Sequence, residues 1–230
     1  SPGLETTSQS RPISLACAQQ AIACVCGRIR TGMTELDLRL DLEWEMRRRG
    51  ADEAAFETIV AARANASQPH AHAGRRKLTR GSLVLIDFGA CVDRYNCDLT
   101  RVLFLDSMPQ FWKSRYALVL EAQRAGLDAV GAGRPAAEAD TAARAVFEEA
   151  GCAERFTHSL GHGVGLAVHE PPRLSRTKRE PLESGMVVTV EPGLYYPRRG
   201  GIRIEDMALV TETGHRCLSS LPRGPEDVVL

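Results

Sequence analysis

Four apolar runs in this sequence carry a carboxylate where a buried strand has no use for one. VLIDFG (84–89) ends around Asp87, VVTVEPG (187–193) brings Glu191, GIRIEDMALV (201–210) holds Glu205 beside Ile204, and DLTRVLFL (98–105) opens on Asp98. One acid at a strand end is an ordinary polar cap. Four are harder to accommodate, because a buried charge is costly unless it is paired.

Asp87 and Asp98 can be related through a hairpin. If 84–89 and 98–104 pair about a turn centred on Val92-Asp93, the two acids stand directly opposite. Opposed side chains share a face, with Cβ atoms about 4.5–5.5 Å apart. Two bare carboxylates there repel by about 3 kcal/mol at an effective dielectric of ~20. A proton, an arginine or a cation would relieve this. Arg101 is three residues past Asp98, so in a regular strand it points to the other face. A bulged turn, with both acids merely capping strand ends, is the competing reading.

The rest of the chain supplies the surroundings. Apolar spacing predicts a helix over 13–30. Thr34 with Asp37 forms a capping-box pattern ahead of a helix at about 35–49, which Gly50 stops. Strands are expected at 56–62, 84–89 and 98–105, then helices at roughly 112–130 and 136–150. Beyond Gly151, alternating Gly161, Gly163 and Gly165 argue against a helix, and GMVVTVEPGLYY and GIRIEDMALVTE read as two strands joined by PRRGG. Helices then strands, twice over, is an α+β class. Residues 1–12 read as a linker or frayed start and 13–230 as one domain.

Bulk properties remove several function classes. Formal net charge is zero, so nothing draws the chain as a whole to nucleic acid or an anionic membrane. No apolar run approaches the ~20 residues of a membrane helix. Seven cysteines without a Cys-x-x-Cys pair point to reduced thiols in a cytoplasmic protein rather than to disulfides or a zinc ribbon.

HSLGHGVGLAVHE (158–170) adds His158, His162 and His169, with glycines that let backbone approach a site closely. Asp87, Asp98, Glu191 and Glu205 carry the charge that two divalent cations neutralise. With one neutral histidine the shell mixes oxygen and nitrogen, which suits Mn²⁺, Co²⁺ or Zn²⁺ better than Ca²⁺.

IDFGA with its following DLTR, GHGVGLAVHE, GMVVTVEPGLYY and GIRIED, in this order, resemble the motifs of the pita-bread metallopeptidases, over about residues 13–222. That resemblance implies a curved antiparallel sheet flanked by helices in two pseudo-symmetric halves. It implies two divalent ions, Mn²⁺ ahead of Co²⁺ or Zn²⁺, with Asp87 on one ion, His162 and Glu191 on the other, and Asp98 and Glu205 bridging. A hydroxide between the ions would attack the peptide carbonyl after the N-terminal residue, with Glu191 as proton shuttle. His70, in SQPHAHAG, matches a family histidine at the substrate site, and His169 one that contacts the scissile region. His158 matches a pocket histidine of the proline-specific branch. Arg203 shares a strand face with Glu205 and is expected to line the substrate pocket rather than make only a structural salt bridge.

The context Arg203-Ile204-Glu205-Asp206 resembles aminopeptidase P and prolidase more than methionine aminopeptidase. The expected activity is removal of the N-terminal residue from peptides with proline second, an Xaa-Pro aminopeptidase. Xaa-Pro dipeptidase comes next, then methionine aminopeptidase, then an inactive domain that only binds. Peptide is the expected partner, with a homo-oligomer left open, and the N-terminal domain usual in this branch is not expected within these residues. Trp44 is expected in the core, and His72 and His215 on the surface.

Overall fold

The computed structural model describes residues 3–230, with side chains from residue 13 onward. Helix α1 (Gly3–Cys26) is displaced from the expected 13–30, and the stretch 1–12 lies outside the residues whose side chains are described. Helix α2 (Glu35–Arg48) begins where the capping box predicts. Thr34 Oγ1 accepts from the Asp37 amide at 3.0 Å, and Asp37 Oδ2 accepts from the Thr34 amide at 2.8 Å. Leu38, Leu42 and Met46, four apart, are fully buried on one face of α2. Each contributes about 1.5–3 kcal/mol by leaving water. Trp44 falls between these positions and is turned outward, 61% exposed, so the expectation that it joins the core is overturned by helical phase.

The first sheet region holds β1 (Glu53–Ala54), β2 (Ile59–Ala62), β3 (Leu83–Phe88), β4 (Ala90–Val92), β5 (Tyr95–Asn96) and β6 (Leu99–Phe104). The order β2-β3-β6 is continued by β1-β4-β5, so β3–β4 and β5–β6 form one long hairpin that bends at Gly89 and at Cys97-Asp98. Helices α3 (Gln110–Asp128) and α4 (Ala136–Glu149) follow, close to expectation. The second region holds β7 (Gly161–Gly163), β8 (Glu170–Leu174), β9 (Val187–Val190), β10 (Gly193–Tyr196), β11 (Gly200–Arg203), β12 (Asp206–Thr211) and β13 (Gly214–Cys217). Its order is β13-β12-β9-β7-β8, with β10-β11 as a separate pair.

The two strands expected at 185–211 are therefore four. Each run breaks after its first strand, at Glu191-Pro192 and at Ile204-Glu205, and the pieces form a second bent hairpin. Glu205 is thus at a strand break, not mid-strand. The ladder strands of both hairpins pair antiparallel, and each hairpin follows a pair of helices, which is the α+β arrangement expected. None of the seven cysteines is in a disulfide, although only Cys17, Cys91 and Cys97 are buried. No helix among the described residues is long and apolar enough to cross a membrane.

Candidate metal centre

The bends put the acids in one place. Asp87 is the penultimate residue of β3, while Asp98, Glu191 and Glu205 all stand in the short breaks between consecutive strands. Ligand-type oxygens of Asp87, Asp98 and Glu205 lie within 4.8 Å of one another, and so do ligand atoms of His162, Glu191 and Glu205. His162 Nε2 is 3.3 Å from Glu191 Oε1 and 3.6 Å from Asp98 Oδ2.

The register of the first hairpin differs from expectation. Asp93 and Arg94 both adopt positive φ, 50° and 70°, and form the two-residue turn between Val92 and Tyr95. This moves the pairing by two positions. Asp87 faces Thr100, and Asp98 is its diagonal neighbour rather than its partner. A shift of two keeps both acids on one face, so they still converge. The facing pair exists in the other hairpin: Val190 pairs with Asp206 and Gly193 with Arg203, which sets Glu191 level with Glu205.

Three buried carboxylate oxygens, Asp87 Oδ1, Asp98 Oδ1 and Glu205 Oε1, have no hydrogen-bond partner. Buried polar atoms without partners are rare in folded proteins. Here they belong to three acids around one spot, so the residues present fit cations. Burial, and then the neighbouring carboxylates, push Asp98 and Glu205 well above the usual carboxylate range. Burial also raises Asp87, against the opposing pull of Arg203. Glu191 is the exception: burial pushes it up, but the His162 hydrogen bond and the charges of His158, His162 and Arg203 together hold it below its ordinary value.

His162 is oriented as a ligand. Its Nδ1 is 3.0 Å from the Gly163 carbonyl oxygen, which can only accept, so Nδ1 carries the proton and Nε2 faces the acids. His169 is on the exposed rim, its ring 4.2 Å from that of His162, and it also comes within ligand range of Asp98 and His162. His70 is exposed and lines, with His169, a cavity of about 960 Å³ whose wall includes all five proposed ligands. Cys91 and Cys97 contribute no ligand atom to these clusters.

His158 and Arg203 line the same cavity but are engaged within the protein. His158 Nδ1 donates to the Ser159 carbonyl at 2.9 Å, so Nε2 accepts from the Tyr195 hydroxyl, also at 2.9 Å. The Tyr195 oxygen in turn accepts from Arg203 Nη1 at 2.8 Å. Burial holds His158 below its ordinary value and pushes Tyr195 up to about 12. With both ring nitrogens occupied, His158 presents the cavity with a ring surface rather than a free hydrogen-bonding atom. Arg203 also donates to Asp87 Oδ2 at 2.5 Å and to Thr100 Oγ1 at 3.0 Å. It is the counter-charge of the acid cluster as well as a pocket wall.

Three residues that the motifs did not single out complete the site. Thr100 donates to Glu205 Oε2 at 2.6 Å, Thr189 donates to Glu191 Oε1 at 3.2 Å, and Tyr195 links His158 to Arg203. Thr100 and Thr189 each stand two residues from a ligand acid, on its face of the strand, which is the signal that could have found them. Asp206, next to Glu205, points the other way. It accepts from Arg101 at 2.7 Å and Gln123 at 2.9 Å and pairs with Arg223. Arg101 does leave the Asp98 face, as strand parity requires.

The sequence model described as Metallopeptidase family M24 matches residues 13–212. The chain is 39% identical over 222 residues to an Xaa-Pro dipeptidase of Pyrococcus furiosus, covering 96% of this chain and 64% of that protein. The structure of X-Pro aminopeptidase from Thermotoga maritima superposes with a TM-score of 0.93 at 38% identity, covering 96% of this chain and 62% of that one. Prolidase from Pyrococcus furiosus superposes with a TM-score of 0.92 at 38% identity, covering 95% and 65%. The chain thus spans a little under two thirds of the length of these relatives.

Proposed function

The chain belongs to metallopeptidase family M24, with its pita-bread fold, and from that premise we propose that it is a dinuclear metal-dependent exopeptidase for peptides with proline in second position. The observation that carries this reading is the convergence of Asp87, Asp98, His162, Glu191 and Glu205 around three unpartnered buried oxygens. Asp87 would hold one ion, His162 and Glu191 the other, and Asp98 and Glu205 both. Carboxylates with a single imidazole suit Mn²⁺, with Co²⁺ and Zn²⁺ as alternatives. When bound, such ions polarise a carbonyl and make water a nucleophile at neutral pH.

The protein's own groups divide the remaining work. Glu191, held ionised by its neighbours, takes a proton from the attacking water and passes it to the leaving nitrogen. His169 and His70, which both line the cavity, orient the scissile carbonyl. The free amine of the substrate meets the acid cluster, which confines cleavage to the N-terminal bond. His158 and Arg203 form a wall that fixes Tyr195 and Asp87. The catalytic unit is residues 13–230.

Sequence motifs put the aminopeptidase ahead of the dipeptidase. Two relatives at 39% identity are named Xaa-Pro dipeptidase, and these support the reverse order. The aminopeptidase reading remains second, supported by the Thermotoga maritima structure. Hydrolysis of Xaa-Pro, Xaa-Pro-Xaa and Met-Ala-Xaa peptides by metal-stripped protein, before and after Mn²⁺, Co²⁺ or Zn²⁺, tests it. Metal-restored cleavage of Xaa-Pro is expected. Cleavage of the tripeptide alone makes the chain an aminopeptidase, and of the methionyl peptide alone a methionine aminopeptidase. No cleavage with any metal refutes the proposal.

A further inference from the structure

Glu35 stands outside the metal centre, yet it is 1% exposed and surrounded by donors. It is the first residue of α2, where the helix dipole favours a negative charge. Its Oε1 accepts from the Ala62 amide at 2.7 Å and its Oε2 from the Gly74 amide at 3.0 Å. Asn65 Nδ2 reaches both oxygens at 3.1 Å and also donates to the His72 carbonyl at 3.1 Å. Arg76 Nε lies 3.4 Å away.

These donors are the two ends and the brace of one loop. Ala62 closes β2, Gly74 follows eleven residues after Arg63 begins the excursion, and His70 stands near the middle over the cavity. The inner wall of the loop rests on β11. A Cβ at Gly201 would lie 2.4 Å from the Ala66 carbonyl oxygen, so only glycine permits this approach. Arg203 Nη1, on the same strand, is 3.4 Å from the Pro69 carbonyl oxygen. The loop is therefore seated on the strand that leads to Glu205, and one carboxylate joins its two ends, beside the Leu36 amide, which donates to the Gly74 carbonyl at 3.0 Å.

We propose that Glu35 is a positioning residue for His70: it clamps both ends of the 62–74 loop and so fixes where that histidine stands above the metal centre. The claim rests on the reading of His70 as a substrate-side residue. Only a carboxylate suits the role. It offers about four lone-pair sites and no donor, whereas glutamine would turn an NH₂ toward the Gly74 or Asn65 donors. Charge-assisted bonds of this kind are roughly twice as strong as neutral ones.

The test is a double-mutant cycle of Glu35→Gln and His70→Ala on Mn²⁺-loaded protein with Xaa-Pro peptides, with hydrogen exchange of segment 62–74 and metal content measured alongside. Glu35→Gln should keep its metals, exchange faster within 62–74, and lose roughly 10–100-fold in kcat/KM, as a small misplacement of a contact group does. Added to His70→Ala, it should cost almost nothing more. Additive losses, or unchanged exchange in 62–74, overturn the proposal. Failure of the functional reading looks different: His70→Ala keeps full turnover while exchange in Glu35→Gln still rises. If Glu35→Gln does not fold, Asn65→Ala removes one arm of the clamp and leaves the carboxylate. It must loosen 62–74 alone, and a loop as protected as wild type overturns the proposal.

Discussion

Asp98→Asn should stabilise the metal-free protein and abolish its response to metal. Asp98 is buried, its Oδ1 has no partner, and its ligand oxygen lies within 4.8 Å of those of Asp87 and Glu205. A pair of full charges at such a separation repels by about 3 kcal/mol at an effective dielectric of ~20. Burial and the charges of Glu205, Asp87 and Glu191 raise Asp98 well above its usual range, so uptake of a proton relieves part of this strain as pH falls. Asparagine keeps the shape and drops the charge. It also gives up the attraction to His162, 3.6 Å away. The net gain should be about 1–2 kcal/mol, which for a chain of this size is a rise of roughly 2–8 °C in Tm.

Thermal melts at pH 8 in chelator and then in Mn²⁺ provide the assay. In chelator the mutant should melt higher. In Mn²⁺ the order should invert, because ion binding stabilises only the protein that retains its ligands. The pH dependence has a definite sign. A carboxyl whose folded value is raised contributes stability below its unfolded value, about 4, and loses it as pH rises through the folded value. The advantage of the mutant in chelator should therefore grow with pH and close toward about pH 4. A metal-free mutant that melts below wild type at pH 8, or an advantage that shrinks as pH rises, would show that the acids are not strained against one another.

The same raised acids predict that metal binding displaces protons, more of them as pH is lowered, so its heat in calorimetry should vary with the ionisation enthalpy of the buffer; a heat invariant across the pH range contradicts the shifts of Asp98 and Glu205. His169→Ala should keep both ions by elemental analysis and lose about 10²–10⁴-fold in turnover; loss of an ion would instead make His169 a ligand. Gly161→Ala puts a Cβ 1.9 Å from the Thr189 carbonyl oxygen, so β7 must move and carry His162 with it. Circular dichroism and metal content should both fall in that variant. Thr100→Val breaks the bonds to Glu205 and Arg203 and should weaken metal affinity by about 10–100-fold with the fold intact, measured by competition with a chelating dye.

The acids were legible because each interrupts an apolar run, and hydrophobic runs give up a position to charge only with compensation. The helices were legible from phase and caps, as at Thr34 and Asp37. What escaped was whatever depends on register or on a partner distant in sequence. Thr100, Thr189 and Tyr195 are ordinary strand residues by propensity; parity sets Thr100 and Thr189 on the face of a nearby acid, but only the folded hairpins show that Thr100 supports Glu205 and Tyr195 supports Arg203. Trp44, expected in the core, stands two residues from both Leu42 and Met46, and that spacing sets it on the far face of α2.

A turn centred on Val92-Asp93 would oppose Asp87 and Asp98, but the Asp93-Arg94 turn moves that register by two. The opposed pair is Glu191 and Glu205, in the second hairpin. Parity survived where register did not, since a shift of two returns every side chain to its face. The adjacent acids Glu205 and Asp206 show how far parity reaches. One turns to the metal centre, and the next turns inward to Arg101, Gln123 and Arg223. Arg101 also donates to the Glu205 carbonyl at 2.6 Å, so the inward network grips the backbone of a proposed bridging ligand. Two bent hairpins thus meet with acids on one side and a buried ion-pair network on the other. The bends let strand ends converge on ions, and the network holds the hairpins together where their ladders are broken.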